Sequence, residues 1–206
     1  KMPMWKGKYS EKLVNNKIQE LPEEYVIFND LLFESNGYST QIDHIVVSSY
    51  GVFVIETKGY KGWILGGENS EYWTQTIYKS KHQFYNPIKQ NAGHVKFLRH
   101  LLKCSVDIPF IPIVVFNNNA ELKVHIVNSI VVNRYSLKRA ILQYRTSVLN
   151  QETIDWIVRT INQNCIIADK EEKLKQHKHN AKARQYRSSN FINQGRRCVK
   201  MHISFF

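Results

Sequence analysis

Two β-prone runs that meet at a very short corner constrain this chain more than any other feature. Residues 40–48 (TQIDHIVVS) and 51–58 (GVFVIETK) are rich in Val, Ile and Phe, side chains that suit a pleated, half-buried surface. Ser49, Tyr50 and Gly51 make the corner. A parallel crossover needs a dozen or more residues, so the two strands are antiparallel neighbours. Each run carries an acid: Asp43 in the first, Glu56 in the second, with Lys58 two residues on. A charge inside an apolar strand is costly unless it has a partner or a task.

The register decides what those charges do. If Ser48 pairs with Gly51, Asp43 stands opposite Glu56, with Cβ atoms about 5 Å apart. The two-residue period of a strand then puts Lys58 on the face of Glu56. Gly51 equally suits a three-residue turn with a bulge. A one-residue slip turns Asp43 to the other face unless a second bulge corrects it. Catalysis by this set therefore requires the even register or such a correction. Two converging carboxylates raise each other's pKa, and a divalent cation relieves the repulsion. Mg²⁺ takes oxygen ligands from one or two carboxylates, with waters and phosphate oxygens completing the shell. Such an ion activates water and stabilises phosphoryl charge, and a nearby lysine stabilises the attacking hydroxide or the pentavalent phosphate. Together these parts perform phosphodiester hydrolysis. The competing reading is a buried structural ion pair, Glu56 with Lys58 or with Arg99.

Around the hairpin, periodicity predicts a helix over 8–20 with Ser10 as N-cap, a strand over 25–33 and a turn at 34–38. Residues 62–67 and 71–78 read as two more short strands, giving a meander of up to five antiparallel strands. A helix is expected over 86–103, with Asn86 as N-cap and Pro87 in its first turn. FIPIVVF (110–116) is apolar enough for a buried strand. Short strands are expected at 124–127 and 130–132, and helices from Ser136 to Tyr144 and from Asn150 to Gln163. Asp169 and Glu172 open a basic helix in capping-box style, and the end from about Ser188 is loose. This predicts a domain over 1–166 and a basic helical or loose tail over 167–206.

The net charge is +12, which points to a polyanionic partner, nucleic acid first. From Asp169 onward ten Lys/Arg face three Asp/Glu. The stretch 170–187 is a candidate grip on phosphate backbone, against simple solvation of a charged tail. No run of 18 apolar residues is present, and the N-terminus lacks the apolar stretch of a secretory signal. The three cysteines, Cys104, Cys165 and Cys198, are too few and too scattered for a disulfide framework or a zinc site of their own, which suits the cytoplasm.

The hairpin resembles the nuclease-related domain, or NERD, a branch of the PD-(D/E)xK nuclease superfamily. The matching motifs are Gln41-Ile42-Asp43-His44, then Gly51-Val52-Phe53-Val54-Ile55-Glu56-Thr57-Lys58, the Trp73–Gln75 segment, Asn86-Pro87-Ile88-x-Gln90, and His94. They span roughly residues 8–116. The resemblance implies an α/β, restriction-endonuclease-like fold, a central mixed sheet flanked by helices, here with an α-helical C-terminal extension. It implies Mg²⁺ or Mn²⁺ held by Asp43, Glu56 and the Thr57 carbonyl, and a catalytic role for Lys58. A Gly-Glu pair in the family's first helix supplies a further acid. Here the pair reads Ser10-Glu11, so Glu11 is a candidate, against an acid that merely suits the start of a helix. Gln90 is expected near the active site, against an exposed helix surface. His94 reads as a satisfied or exposed histidine before it reads as a ligand. Trp73 and Gln75 serve packing or the site, and Tyr60 and Trp63 either stack on bases or cover the core. The four-cysteine ribbon of some members is not expected. The implied substrate is DNA, with RNA second, and a homodimer is left open. Two other functions stay in view: a non-catalytic nucleic-acid-binding module on the same fold, and a structural domain whose charges are solvated faces.

Overall fold

The structure, a computed structural model, describes residues 4–35, 38–103 and 107–166. The basic helix expected from Asp169, the tail 167–206, and Cys104 and Cys198 lie outside the described residues. The chain begins with helix α1 (Met4–Ile18) and strands β1 (Val26–Ser35), β2 (Tyr38–Ser48) and β3 (Gly51–Lys58). Then come β4 (Gly62–Gly67), β5 (Tyr72–Ile77), β6 (Ser80–Tyr85) and helix α2 (Pro87–Leu101). Strands β7 (Phe110–Phe116), β8 (Ala120–His125) and β9 (Ile130–Asn133) follow, then α3 (Arg134–Leu142), α4 (Gln151–Asn164) and the short β10 (Cys165–Ile166).

The strands form two mixed sheets, not one meander. The larger has the order β10-β1-β2-β3-β7-β9 and the smaller β6-β5-β4-β8. The meander fails at β3. Its free edge goes to β7, which α2 returns in parallel from Val52↔Phe110 to Lys58↔Phe116. An all-apolar strand such as β7 is stable only when covered on both faces. Strand β4 therefore starts a second sheet, pairing with β5 and, in parallel, with β8. Strand β6, absent from the sequence-based expectation, pairs with β5 from Tyr72↔Tyr85 to Ile77↔Ser80.

Helices cover both faces of the larger sheet, as the mixed α/β class demands. On one face Leu98 and Leu102 of the α2 segment and Ile154, Ile157 and Ile161 of α4 pack on Val52, Val54, Ile45 and Val47. On the other, Val14 and Ile18 of α1 and Leu137 and Ile141 of α3 pack on Phe53, Ile55, Val46 and Ile113. The corner is the even one: Ser48 pairs with Gly51 and His44 with Ile55. Gly51 has φ +134°, and a Cβ there would lie 2.6 Å from the Ile111 side chain. Only glycine accepts both that backbone and that contact.

Capping held at two helices and failed at two. Asn86 accepts from Ile88 N–H and Asn150 from Thr153 N–H. Ser10 is no cap, because α1 starts earlier, at Met4. Its buried hydroxyl instead accepts from Asn117 Nδ2 at 3.0 Å. Nor does Ser136 cap α3, which begins at Arg134. The adjacent Asn133 spends its amide on the Asn117 and Ala120 carbonyls, and Asn118 Oδ1 reaches across to accept from Tyr135 N–H at 3.0 Å. A cap supplied by another segment leaves no local signature.

His44, on the α1 face, is 2% exposed. Its Nδ1–H donates to Asn29 Oδ1 at 2.8 Å, while Nε2 has no partner among the described residues. Burial drives its pKa down to about 3. The unfolded chain therefore binds a proton that the fold refuses between about pH 6.5 and 3. Stability from this residue is complete above that window and lost as pH falls through it, by about 2 kcal/mol at pH 5. Denaturant unfolding at pH 7.5 and pH 5 will show a smaller pH slope in His44→Leu than in the wild type; equal slopes would refute this origin.

Candidate active site

The site forms where the hairpin ladder ends. Pairing of β2 with β3 stops at His44↔Ile55. One step on, Thr57 N–H donates to Asp43 Oδ2 at 2.7 Å. The facing strand is irregular at the same level. The β1–β2 ladder runs through Asn29↔His44 and Leu31↔Ile42 and omits Asp30 and Asp43. Asp30 has φ +49°, in the left-handed region that Asp tolerates better than most residues. Phe28 and Leu31, and likewise Ile45 and Ile42, face the same core, so the alternation resets across Asp30 and Asp43. Asp43 is thereby freed from the regular pleat, and its carboxylate lies against the end of β3. Of the two alternatives the corner takes the even register, and the break at Asp30 and Asp43 inserts no residue, since β1 and β2 keep one alignment on either side of it.

Glu56 is 3% exposed and fully engaged. Lys58 Nζ donates to Oε1 at 2.6 Å, and His94 Nε2–H donates to Oε2 at 3.1 Å. Both partners are fixed in turn. Lys58 also donates to Gln90 Oε1 at 2.9 Å, and His94 Nδ1 lies 3.2 Å from the Thr40 hydroxyl. Gln90 and His94 are one turn apart on α2, so one helix face holds both. Buried Asn91, between them, seats that helix on the sheet by donating to the Val54 and Ile113 carbonyls at 2.9 and 3.2 Å.

The electrostatics separate the two acids. Burial pushes the Glu56 carboxyl up, but the His94 hydrogen bond and the Lys58 charge outweigh it and hold its pKa below the usual range. Asp43 goes the other way. Burial first, and then the charge of Glu56, hold its carboxyl well above the ordinary value, against the opposing pull of Thr57 N–H. Glu11, half-buried on α1, is raised by burial and by the nearby charges of Asp30 and Glu56. Asp43 and Glu11 thus both feel the charge of Glu56, opposed by Lys58 at both and by Lys8 at Glu11.

Residues 6–117 match the nuclease-related domain family, from α1 through the end of β7, the stretch that contributes every side chain described above. The chain belongs to the NERD family. It is also 37% identical over 190 residues to an uncharacterized protein of Bacillus anthracis, covering 89% of each chain. No solved structure matches. The superfamily context of NERD is the PD-(D/E)xK nucleases, and the central mixed sheet flanked by helices agrees with it.

In this NERD domain the candidates Glu56, Lys58 and Gln90 form one hydrogen-bonded group, Asp43 is held on the adjacent Thr57 N–H, and Glu11 lies within electrostatic reach. Arg99, the other candidate partner for Glu56, sits over the Phe110 ring at 4.9 Å instead. His94 is satisfied, as expected, but by Glu56 itself. Asp30 was missed, although an acid one strand away from Asp43 was readable in NDLLF. Trp73 and Gln75 serve packing: Trp73 is fully buried, and Gln75 donates to the Lys61 carbonyl at 2.8 Å. Tyr60 packs on Phe84 with centroids 4.3 Å apart, whereas Trp63 is 49% exposed. No described helix is long and apolar enough to cross a membrane.

The donor set fits a hard divalent cation. Among the described residues no three His, Cys, Asp or Glu side chains are grouped to cage an ion by themselves. Mg²⁺ does not need such a cage, since it keeps several waters beside one or two carboxylates. Asp43 Oδ2 and both Glu56 oxygens have a donor each, and a carboxylate oxygen offers a second lone pair. Burial, and then the charge of Glu56, disfavour the ionised Asp43 carboxylate, and a bound cation would offset both.

Proposed function

We propose that this NERD domain is a metal-dependent nuclease that hydrolyses DNA phosphodiester bonds. The observation that carries the reading is that Asp43 is held by the Thr57 N–H, in the peptide that follows Glu56, while the Lys58 ammonium is fixed on Glu56. Asp43, Glu56 and the Thr57 carbonyl would hold Mg²⁺ or Mn²⁺. When bound, such an ion supplies an activated water and charge neutralisation at the phosphoryl group. Lys58, clamped by Glu56 and Gln90, offers a fixed positive charge to the oxygen on which negative charge develops. His94 keeps Glu56 ionised and oriented, and Glu11 adds a further carboxylate within electrostatic reach of Glu56. The charge of +12 favours a polyanion as substrate.

Linear, circular and single-stranded DNA incubated with the protein will be cut with Mg²⁺ or Mn²⁺ and left intact with chelator. Binding without cutting under every metal condition would instead mark a non-catalytic nucleic-acid-binding module. Gln90→Leu removes one acceptor from the Lys58 ammonium, a bond to a charged group of about 1.5–3 kcal/mol. Cleavage is expected to fall about ten-fold or more, and stability by no more than that bond is worth; an unaltered rate in the folded variant would remove Gln90 from the site.

A further inference from the structure

The smaller sheet covers its inner face with Ile64, Trp73 and Phe84. Among the described residues its outer face is uncovered at Trp63, Tyr72 and Tyr85. Cross-strand partners share a face, so the registers align Lys81, Thr76, Trp63 and Glu121 in one outward row. The next row holds Gln83, Thr74, Leu65 and Lys123. Beyond it Tyr72 stands opposite Tyr85. Trp63, Tyr72 and Tyr85 are 49%, 53% and 47% exposed, and the two tyrosine rings meet edge to face at 6.2 Å. Lys123 Nζ already sits 4.0 Å from the Trp63 ring centroid, while also pairing with Glu121 at 3.2 Å. Lys61 and Lys79 are exposed beside this face.

We propose that this face binds a single-stranded segment of nucleic acid, its bases stacked on Trp63 and on the Tyr72–Tyr85 pair and its phosphates met by the lysines. Aromatics interleaved with cations are the general form of a sequence-tolerant single-strand platform. Protein interfaces are instead depleted in lysine. In a duplex each base is already stacked within the helix, so its face is not offered to Trp63. The two aromatic positions are about four residues apart along the strands, roughly 13 Å, enough for separate bases. Trp63 lies five residues beyond Lys58, at most about 18 Å away along extended chain, so one bound strand can reach both places. The platform thereby assigns unpaired strands as the preferred substrate of the nuclease and rests on that reading for its purpose.

The test uses the full chain carrying Glu56→Gln, in chelator, so that binding is read without cutting. Anisotropy of a labelled oligothymidylate is compared with that of a duplex of equal length. Trp63→Ala and the Tyr72→Ala/Tyr85→Ala pair are each expected to weaken oligothymidylate binding about ten-fold, and Trp63→Phe to retain most of it. The loss should persist at raised salt, where phosphate contacts fade. Unchanged oligothymidylate affinity in Trp63→Ala, or an equal loss on the duplex, overturns the proposal. Failure here leaves the nuclease reading standing, and a chain that never cuts DNA can still pass.

Discussion

Glu56→Gln will abolish metal-dependent cleavage while leaving the fold intact. The substitution keeps volume and hydrogen-bonding shape but removes the charge that both Lys58 and His94 address. A metal's contribution to transition-state charge is worth several kcal/mol, so the rate is expected to fall by about 10³-fold or more. Removing one member of a buried pair usually destabilises strongly. Here the loss is softened, because the Lys58 side chain is 17% exposed and keeps Gln90 as acceptor. Single-turnover cleavage alongside thermal unfolding separates the two effects. A rate within ten-fold of wild type, with the fold intact, would show that Glu56 is a structural ion-pair partner and no more.

The second large effect is on stability. Trp73→Ala is expected to cost about 3–5 kcal/mol, the usual range for a buried aromatic truncated to alanine. Trp73 is fully buried, lies parallel to Phe116 at 6.1 Å and donates Nε1–H to the Gly67 carbonyl at 2.9 Å. It rests directly on Gly66, where a Cβ would come within 2.4 Å of the ring. Cavity, lost hydrogen bond and lost ring contact therefore coincide. For a chain of this size the midpoint of unfolding should drop by about 10 °C. Calorimetry reads this directly, and a drop of only a degree or two would mean that the smaller sheet contributes little to the cooperative unit. The same change should loosen the start of α2, since Asn86 is tied to the Glu68 and Ser70 carbonyls in the adjoining turn. Cleavage should then weaken through Gln90, at temperatures where the protein is still folded.

The heart of the site was legible because it rests on local rules. A corner as short as Ser49-Tyr50 forces antiparallel neighbours, and two acids breaking apolar runs stand out against a costly background. Helix α2 was legible for the same reason: the Asn86 cap and Pro87 in the first turn are read from adjacent residues. What escaped depends on distant partners. Nothing in GWILGG says that its neighbour is β8 instead of β3; that follows from β7 taking the edge of β3. The left-handed Asp30 and the reset of alternation at Asp43 arise from the match of β1 to β2, which neither strand records alone. His94 was legible as a motif residue, but its bond to Glu56 requires knowing how α2 crosses the sheet. Ser10 misled because hydroxyl residues serve equally as caps and as small buried groups, and here Asn117 takes the hydroxyl.

Crystals grown or soaked with Mn²⁺, examined at its absorption edge, address the central claim most directly. Anomalous density touching the carboxylates of Asp43 and Glu56, lost in Asp43→Asn, is the expected result. A clean map at that position under saturating Mn²⁺, or an ion that stays when Asp43 is replaced, would contradict a metal-centred site.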